Sequence, residues 1–490
     1  MKKIIIIACG LLMTITGFAQ TETDALRYSF LMNSGTARFS SMGGAFSALG
    51  ADFSALSTNP AAIGVYKSSE LMFTPQITFS NASSSFMGTT SEDTKASFSI
   101  PNFGMVFSGD ISTSPEKAEW KNIQFGFGVN RLADFNNSYL MRGDNSTSSV
   151  LDVFQYLANG YGHDELNSFD TDLAWNTYLL NPGSTDHDYI KAFEGGVLQQ
   201  KSITTSGGIN EMVLSFGGNY NDRFYLGTTL GFPFLNYNED TYYKEIDEAD
   251  TIGYFKSLSV NDQLNTQGSG FNLKLGMIYR ITDWVRISGA VHTPTFYAMH
   301  DTYSRVMRSD LDTANYESKS PQGVYDYRLT TPMRVNAGIA FVIGKMGAIS
   351  AEYEMVDYSQ SKLRARNAES DFFDANEAIG LNYTVANNFK VGGELKLNPF
   401  AIRAGYSYFG SPYAGTFSED YSTSNITAGF GIREKNYYID LAFVYTMKNE
   451  SHDLYSASII ESMGMYLEPV LIDLNRTSVM ITMGMKFGGK

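Results

Sequence analysis

Cysteine is nearly absent from this chain of 490 residues: Cys9 is the only one, and it lies in an N-terminal stretch that reads as a signal to be removed. A mature chain without a thiol forms no disulfide and offers no sulfur ligand to a metal. Long apolar runs are missing too. Beyond the N-terminus no window approaches 18 consecutive apolar residues, which excludes a membrane-spanning helix. Positive charge is scarce, with 36 Lys and Arg against 51 Asp and Glu, a formal net charge of −15. That balance argues against nucleic acid as a partner, since neutralising phosphates is the main source of its non-specific binding. There are five histidines but no His-Glu-x-x-His pair, no Gly-x-Ser-x-Gly elbow and no phosphate-binding loop. We therefore expect no enzyme, no cofactor and no metal site.

What is present points to export and to a membrane. Lys2 and Lys3, an apolar run from Ile4 to about Ile15, and Gly17-Phe18-Ala19 before Gln20 read as a signal peptide over 1–20. A lipobox at Ile6-Ile7-Ala8-Cys9 would leave only about four apolar residues upstream of it, too few for that signal. Aromatic residues make up 14% of the chain, with 31 Tyr and 34 Phe. An exported, aromatic, glycine-rich chain without spanning helices suggests an outer-membrane β-barrel. Acidic runs at Glu239–Asp250 and Glu369–Glu377 read as solvated loops, with divalent-cation binding as the alternative.

The barrel reading rests on alternation, because lipid-facing and lumen-facing side chains must alternate along each strand. Val479, Ile481, Met483, Met485 and Phe487 are apolar against Ser478, Thr482, Gly484 and Lys486. Tyr437 to Met447 repeats the pattern, as do the stretches beginning at Ile123, Phe271 and Val335. On this basis strands are expected at about 71–79, 97–107, 122–132, 211–220, 224–236, 256–281, 285–297, 327–343, 347–358, 377–397, 400–409, 424–435, 437–448 and 478–487, about fourteen in all. Short links such as Asn221-Asp222, Thr282-Asp283 and Asn398-Pro399 match hairpin chemistry on one rim. Long polar links fall on the other, the largest at about 133–210. Trp284, Tyr225, Tyr279, Tyr353, Tyr406 and Tyr437 fall near strand ends, where rings would sit at the membrane–water boundary. Inward charges from Lys274 to Asp440, among them Arg334, Glu352, Glu354, Lys390, Glu394 and Arg403, read as a lumen ion-pair network. His292 reads as a hydrogen-bonded lumen residue.

Two stretches stand apart from the strands. Gly35–Gly64 is rich in Ala, Gly and Ser, with Met42, Phe46, Leu49, Phe53 and Leu56 at helical spacing. Gly43, Gly44 and Gly50 would each weaken a helix by roughly 1 kcal/mol, so short broken turns are expected, ended by Asn59-Pro60. In the longest loop, Ser148 or Ser149 precedes Val150, Val153, Phe154 and Leu157, a short amphipathic helix, and a second is expected at about 168–180. These four apolar side chains either roof the barrel or line a groove where a greasy ligand lands.

Ser41-Met42-Gly43-Gly44-Ala45-Phe46, Asp52 and Asn59-Pro60-Ala61, set before such a barrel, resemble the N-terminal hatch of the FadL/TodX family of outer-membrane hydrocarbon and fatty-acid transporters. The resemblance implies an all-β fold: a fourteen-stranded transmembrane antiparallel barrel over 67–490, closed by a hatch over 21–66, with short helices in a long extracellular loop. It also implies a kinked third strand that opens sideways to the membrane, with Asn59, Pro60 and Ala61 against that strand near Gly126, Gly128 and Asn130. Phe46, Leu49 and Phe53 would then meet the ligand. Unlike the better-known members, this chain has a far larger loop after the third strand and a Gly488-Gly489-Lys490 tail. The function expected is transport of hydrophobic small molecules, long-chain fatty acids or aromatic hydrocarbons, by binding and diffusion. The alternative is a barrel that binds secreted or surface proteins; an apolar path through the lumen favours the first and a polar-filled lumen the second.

Overall fold

A computed structural model describes residues 21–32, 34–112, 119–366, 372–415 and 420–488. The proposed signal peptide, the middle of the link at 108–121, the start of the acidic run Glu369–Glu377 and the last two residues of the tail lie outside the described residues.

The chain enters through α1 (Glu22–Ser29) and α2 (Ala37–Ser41), followed by single 3₁₀ turns at Ser54–Ser57 and Pro60–Val65. These are the short broken turns that the glycines impose. A two-residue turn, Met87-Gly88 with both φ positive, joins β1 (Ser69–Phe86) to β2 (Thr89–Asp110). Next come β3 (Trp120–Asp134) and β4 (Asn137–Asn145). The outer loop then holds α3 (Val150–Ala158), α4 (Thr171–Asn176) and the small hairpin of β5 (Leu180–Pro182) and β6 (Tyr189–Lys191). The wall resumes with β7 (Val197–Tyr220), β8 (Phe224–Ile246), β9 (Phe255–Arg280), β10 (Val285–His292), β11 (Phe296–Leu311), β12 (Asn315–Lys319), β13 (Gly323–Thr330), β14 (Arg334–Ile343), β15 (Gly347–Asp357) and β16 (Lys362–Ala365). After α5 (Phe373–Asn382) follow β17 (Val385–Leu397), β18 (Phe400–Phe409), β19 (Thr423–Arg433), β20 (Tyr437–His452), α6 (Ala457–Ser462) and β21 (Val470–Phe487).

These segments form a closed antiparallel transmembrane barrel of fourteen staves, because several staves are interrupted. β10 and β11 both pair with β9, on either side of Thr293-Pro294-Thr295. β13 and β14 are likewise one stave broken at Thr331-Pro332-Met333. Proline has no N–H to give a ladder, so the strands expected to run unbroken through 285–297 and 327–343 are each split. β15 continues into β16, β3 into β4, and β21 pairs with β1 to close the wall.

Other expectations are corrected by extension beyond the membrane. β1 and β2 run on as a tight hairpin across 80–96, and β7 begins at Val197 instead of near 211. Both additions are rich in Ser, Thr and other polar residues, so the apolar alternation that marks a lipid-facing strand is missing from them. The strand expected from 377 starts at Val385, because 373–382 coils into α5, and the second loop helix is only Thr171–Asn176. Tyr225 is buried against Ala61 rather than placed at the boundary.

The alternation phase is as read. Ile339, Phe341, Val479, Ile481 and Met483 face outward, whereas Arg334, Asn336, Met480 and Thr482 are buried. Trp120, Tyr220, Tyr279, Trp284 and Tyr437 ring the rim of short turns. A charge on the lipid face costs about 2–4 kcal/mol at mid-membrane. Ile339→Arg should therefore lower the heat-modifiable, folded fraction in refolding into vesicles, while Ser350→Thr, on the inner face of the neighbouring stave, should leave it near wild type.

Candidate functional site

The segment from Thr36 to Tyr66 fills the lower lumen, and glycines in the wall determine how. Gly227 of β8 and Gly276 of β9 sit directly opposite each other. A Cβ at Gly227 would lie 2.2 Å from the Pro60 carbonyl oxygen, and one at Gly276 would lie 1.9 Å from Asn59 Oδ1. Gly392 and Gly405, also a cross-strand pair, receive the Met42-Gly43 backbone at 2.3 and 2.4 Å in the same sense. Gly104 and Gly128 are a third pair, and the Phe53 ring lies over both, 2.5 and 2.7 Å from where their Cβ atoms would stand. No other residue type leaves such room.

This arrangement corrects the placement of Asn59, Pro60 and Ala61. They lie on β8 and β9, with Asn59 Nδ2 donating to the carbonyls of Ser47 (2.7 Å) and Met277 (3.2 Å) and Oδ1 accepting from the Ala61 N–H at 3.0 Å. The third stave is covered instead by Phe53, Leu56, Ser57 and Ile63. Ile63 Cδ1 is 3.0 Å from a Cβ built on Gly126. Asn130 Nδ2 donates to Ser57 Oγ at 2.9 Å and its Oδ1 accepts from Asn102 Nδ2 at 2.8 Å. Phe46 packs on Phe39 with ring centres 5.7 Å apart, under the Arg38 guanidinium, and the Leu49 carbonyl accepts from Arg286 at 2.8 Å. Phe46, Leu49 and Phe53 are all buried. Because proline and asparagine cap turns wherever they occur, their sequence named the turn but not the wall it would meet.

Charges on the inner wall are paired to each other and to this segment. Arg38 meets Glu394 at 2.9 Å; Glu394 also holds Arg403, which reaches Asp440 at 2.7 Å. Lys390 pairs with Glu352, whose other oxygen accepts the Ser47 N–H at 3.0 Å. Arg334 pairs with Glu354 at 3.3 Å. Lys274 pairs with Glu211, which accepts Ser57 Oγ–H at 2.8 Å. His292 Nε2 is 2.8 Å from the Thr58 carbonyl, so that nitrogen carries the proton. Above this belt lies a cavity of about 130 Å³, whose lining mixes apolar side chains such as Leu31, Met32, Leu132 and Phe409 with charged and amide groups.

Beside the cavity the wall is not fully laddered. β2 pairs with β3 from Asp110↔Asn122 up to Asn102↔Asn130 and no further. Above that point β3 shifts register against β7 between Arg131 and Ala133, then continues as β4 paired to β7 alone, while β2 keeps only β1. Side chains bridge the resulting seam: Ser138 Oγ donates to Asp93 Oδ2 at 2.7 Å, Ser80 Oγ to Asn137 Oδ1 at 2.8 Å, and Lys95 Nζ to the Thr205 carbonyl at 2.6 Å. Behind it lies an apolar cluster of Leu132, Ala133, Phe135, Tyr237 and Tyr28. Asp93, Lys95 and Ser138 were missed in the sequence because they fall in the polar hairpin and loop that carry no periodic signal.

The loop helix α3 forms as its Ser149 cap and apolar spacing require, with Ser149 Oγ accepting the Leu151 N–H at 3.0 Å. Its apolar side chains do not line an open groove. Val150 and Phe154 are buried against Met141 and Leu173, and Val153 and Leu157 are packed against Ile460 and Leu467 of the neighbouring loop. Asp170 caps α4; burial pushes its carboxyl up, against the stabilising Thr171 N–H and the nearby Arg305.

Solved structures with this architecture are similar over nearly the whole chain at low identity. A Pseudomonas aeruginosa FadL homologue is 12% identical over 94% of this chain and 100% of its own, with a TM-score of 0.57. The Pseudomonas putida toluene transporter TodX is also 12% identical over 94% and 100%, TM-score 0.53. The Ralstonia pickettii toluene transporter TbuX is 14% identical over 92% and 98%, TM-score 0.51. The chain has the FadL-like fold, and none of these three is named as an enzyme. A family model described as BamG matches residues 185–409. No curated protein matches the sequence.

A side chain at a glycine pair should loosen the lumen segment before the wall. Gly227→Val meets the Pro60 carbonyl and, as overpacking, should destabilise by about 1–3 kcal/mol. The expected outcome is a barrel that still folds but whose 36–66 segment becomes sensitive to limited proteolysis, with larger single-channel currents in planar bilayers.

Proposed function

We propose that this barrel sits in the outer membrane of a Gram-negative cell and lets hydrophobic small molecules pass by binding and diffusion, with the 21–66 segment as a hatch and a sideways exit through the seam between β2 and β4. The observation that carries the reading is the interrupted ladder above Asn102↔Asn130, backed by the apolar cluster around Leu132 and Phe135. The fold of the toluene transporters supports it.

The chemistry of the lumen favours leaving sideways. A greasy molecule continuing straight down would have to displace paired buried charges such as Arg403–Asp440, and stripping partners from a buried ion costs several kcal/mol. The seam is held by side-chain hydrogen bonds worth about 1 kcal/mol each. Phe46, Leu49 and Phe53 are packed shut, so a ligand reaches them only when the hatch shifts, and binding would favour the shifted state.

A second reading, a barrel that binds secreted or surface proteins, is favoured by one observation: α3 offers no open groove, and the lumen below the cavity is filled by paired charges. Transport assays separate the two. With the chain free of native thiol after signal removal, Asp93→Cys and Ser138→Cys can be bridged by a short thiol crosslinker. Bridging should slow uptake of radiolabelled toluene several-fold, and cleaving the bridge should restore it. Full uptake with the crosslink verified would reject the sideways exit, and no uptake by the unbridged protein would favour the partner-binding barrel.

A further inference from the structure

The lumen cavity is ringed by charged residues from many staves, and each of them already has a partner. Lys274 is held by Glu211, Arg334 by Glu354 at 3.3 Å, Lys390 by Glu352 at 2.9 Å and Arg476 by Asp134 at 2.6 Å. Arg131 shares Asp134 at 2.8 Å and donates to the Gly207 carbonyl at 2.7 Å. His292 is held by the Thr58 carbonyl. What remains unmatched on residues of the lining is mostly neutral hydrogen-bonding capacity: Tyr28 Oη, Ser40 Oγ, Asn272 Oδ1 and Asn425 Oδ1 are buried without a hydrogen-bond partner among the described residues, as is Nε of Arg476, whose guanidinium is already paired with Asp134. Apolar side chains of the lining, Leu31, Met32, Phe409 and Val444, lie among these groups, Phe409 and Val444 on the two staves that flank Asn425.

We infer that the cavity takes an amphiphile whose head is polar but uncharged, an alcohol or amide, in preference to a carboxylate. The inference rests on the transport reading and narrows its substrate. A carboxylate entering here meets no free cation. It must either remain an unpaired buried charge, which is strongly disfavoured, or break an existing pair and leave another group unpaired. A hydroxyl or amide can donate to Asn425 Oδ1 and exchange a hydrogen bond with Ser40 without disturbing any pair, while its chain lies along the apolar side chains of the neighbouring wall. A plain alkane would fill that wall and leave both polar atoms unmatched.

The test uses the purified full barrel in nanodiscs with three probes of equal chain length: 1-dodecanol, dodecanoate and dodecane. At pH 8, unlabelled 1-dodecanol should displace tritiated 1-dodecanol at a concentration about tenfold lower than dodecanoate needs, with dodecane weaker than 1-dodecanol. Lowering the pH to 4, where dodecanoate takes up its proton, should bring it close to 1-dodecanol. Glu354→Gln, which removes the anionic partner of Arg334 with little change of shape, should raise dodecanoate affinity at pH 8 about tenfold relative to that of 1-dodecanol. Dodecanoate binding wild type as tightly as 1-dodecanol at pH 8 overturns the neutral-head inference alone, as does dodecane matching 1-dodecanol. Saturable binding of none of the three overturns the transport reading with it. Should Glu354→Gln fail to fold, the wild-type ranking and its pH dependence still decide.

Discussion

Close approach of two backbones is the constraint on which the lower half of this molecule depends. A barrel of fourteen staves encloses far more space than its own inward side chains fill, and the hatch must come within van der Waals contact of the wall to close it. Contact at that range is open only where the wall has no Cβ. Gly104–Gly128, Gly227–Gly276 and Gly392–Gly405 are each directly opposed across neighbouring staves. They give the hatch three flat seats, for Phe53, for Asn59-Pro60 and for Met42-Gly43. Single glycines weaken a strand; opposed pairs concentrate that weakness where the hatch compensates it with packing. The wall and the hatch are therefore stabilised together.

The buried charges act differently. Arg403, Asp440, Glu394 and Glu352 are almost wholly removed from solvent, and burying such ions costs several kcal/mol each before pairing returns it. Their net contribution to stability is small, but their geometry is demanding, because Glu394 must meet Arg38 of the hatch and Arg403 of the wall at once. An alternative seating of the hatch would leave at least one of these charges unpaired. The glycine seats permit close approach at three places, and the ion pairs tie the segment to the same seating. Apolar contacts around Phe39, Phe46 and Leu56 then fill the space between.

Much of the wall was legible because the membrane imposes a period of two on every stave it crosses. Val479 to Met485 and Val335 to Phe341 could be assigned to the lipid face from sequence alone, and the structure keeps that phase. Legibility ended where the membrane did. The hairpin from Asn81 to Thr94 is extended strand in water, with nothing to force apolar residues onto one side, and it was read as loop. The 373–382 helix fell inside a run that began to alternate only at Val385. For the candidate site, the broken turns of 36–66 were legible but their seats were not: which wall a turn meets is set by cross-strand register, and a sequence shows Gly227 and Gly276 forty-nine positions apart without showing that they are neighbours.

The seam follows from the same geometry one level higher. β3 loses one neighbour here: it shifts register near Leu132, keeps β7 and releases β2. Asn130 marks the point of release, since it still bonds Asn102 across the ladder and Ser57 of the hatch below. Hatch, third stave and seam are thereby mechanically linked through one asparagine. Above it, Asp93 accepts the Thr94 N–H as well as the Ser138 hydroxyl, so that a backbone donor left without a strand partner is satisfied from its own chain. At Thr94 the edge of β2 therefore carries its own acceptor beside the seam.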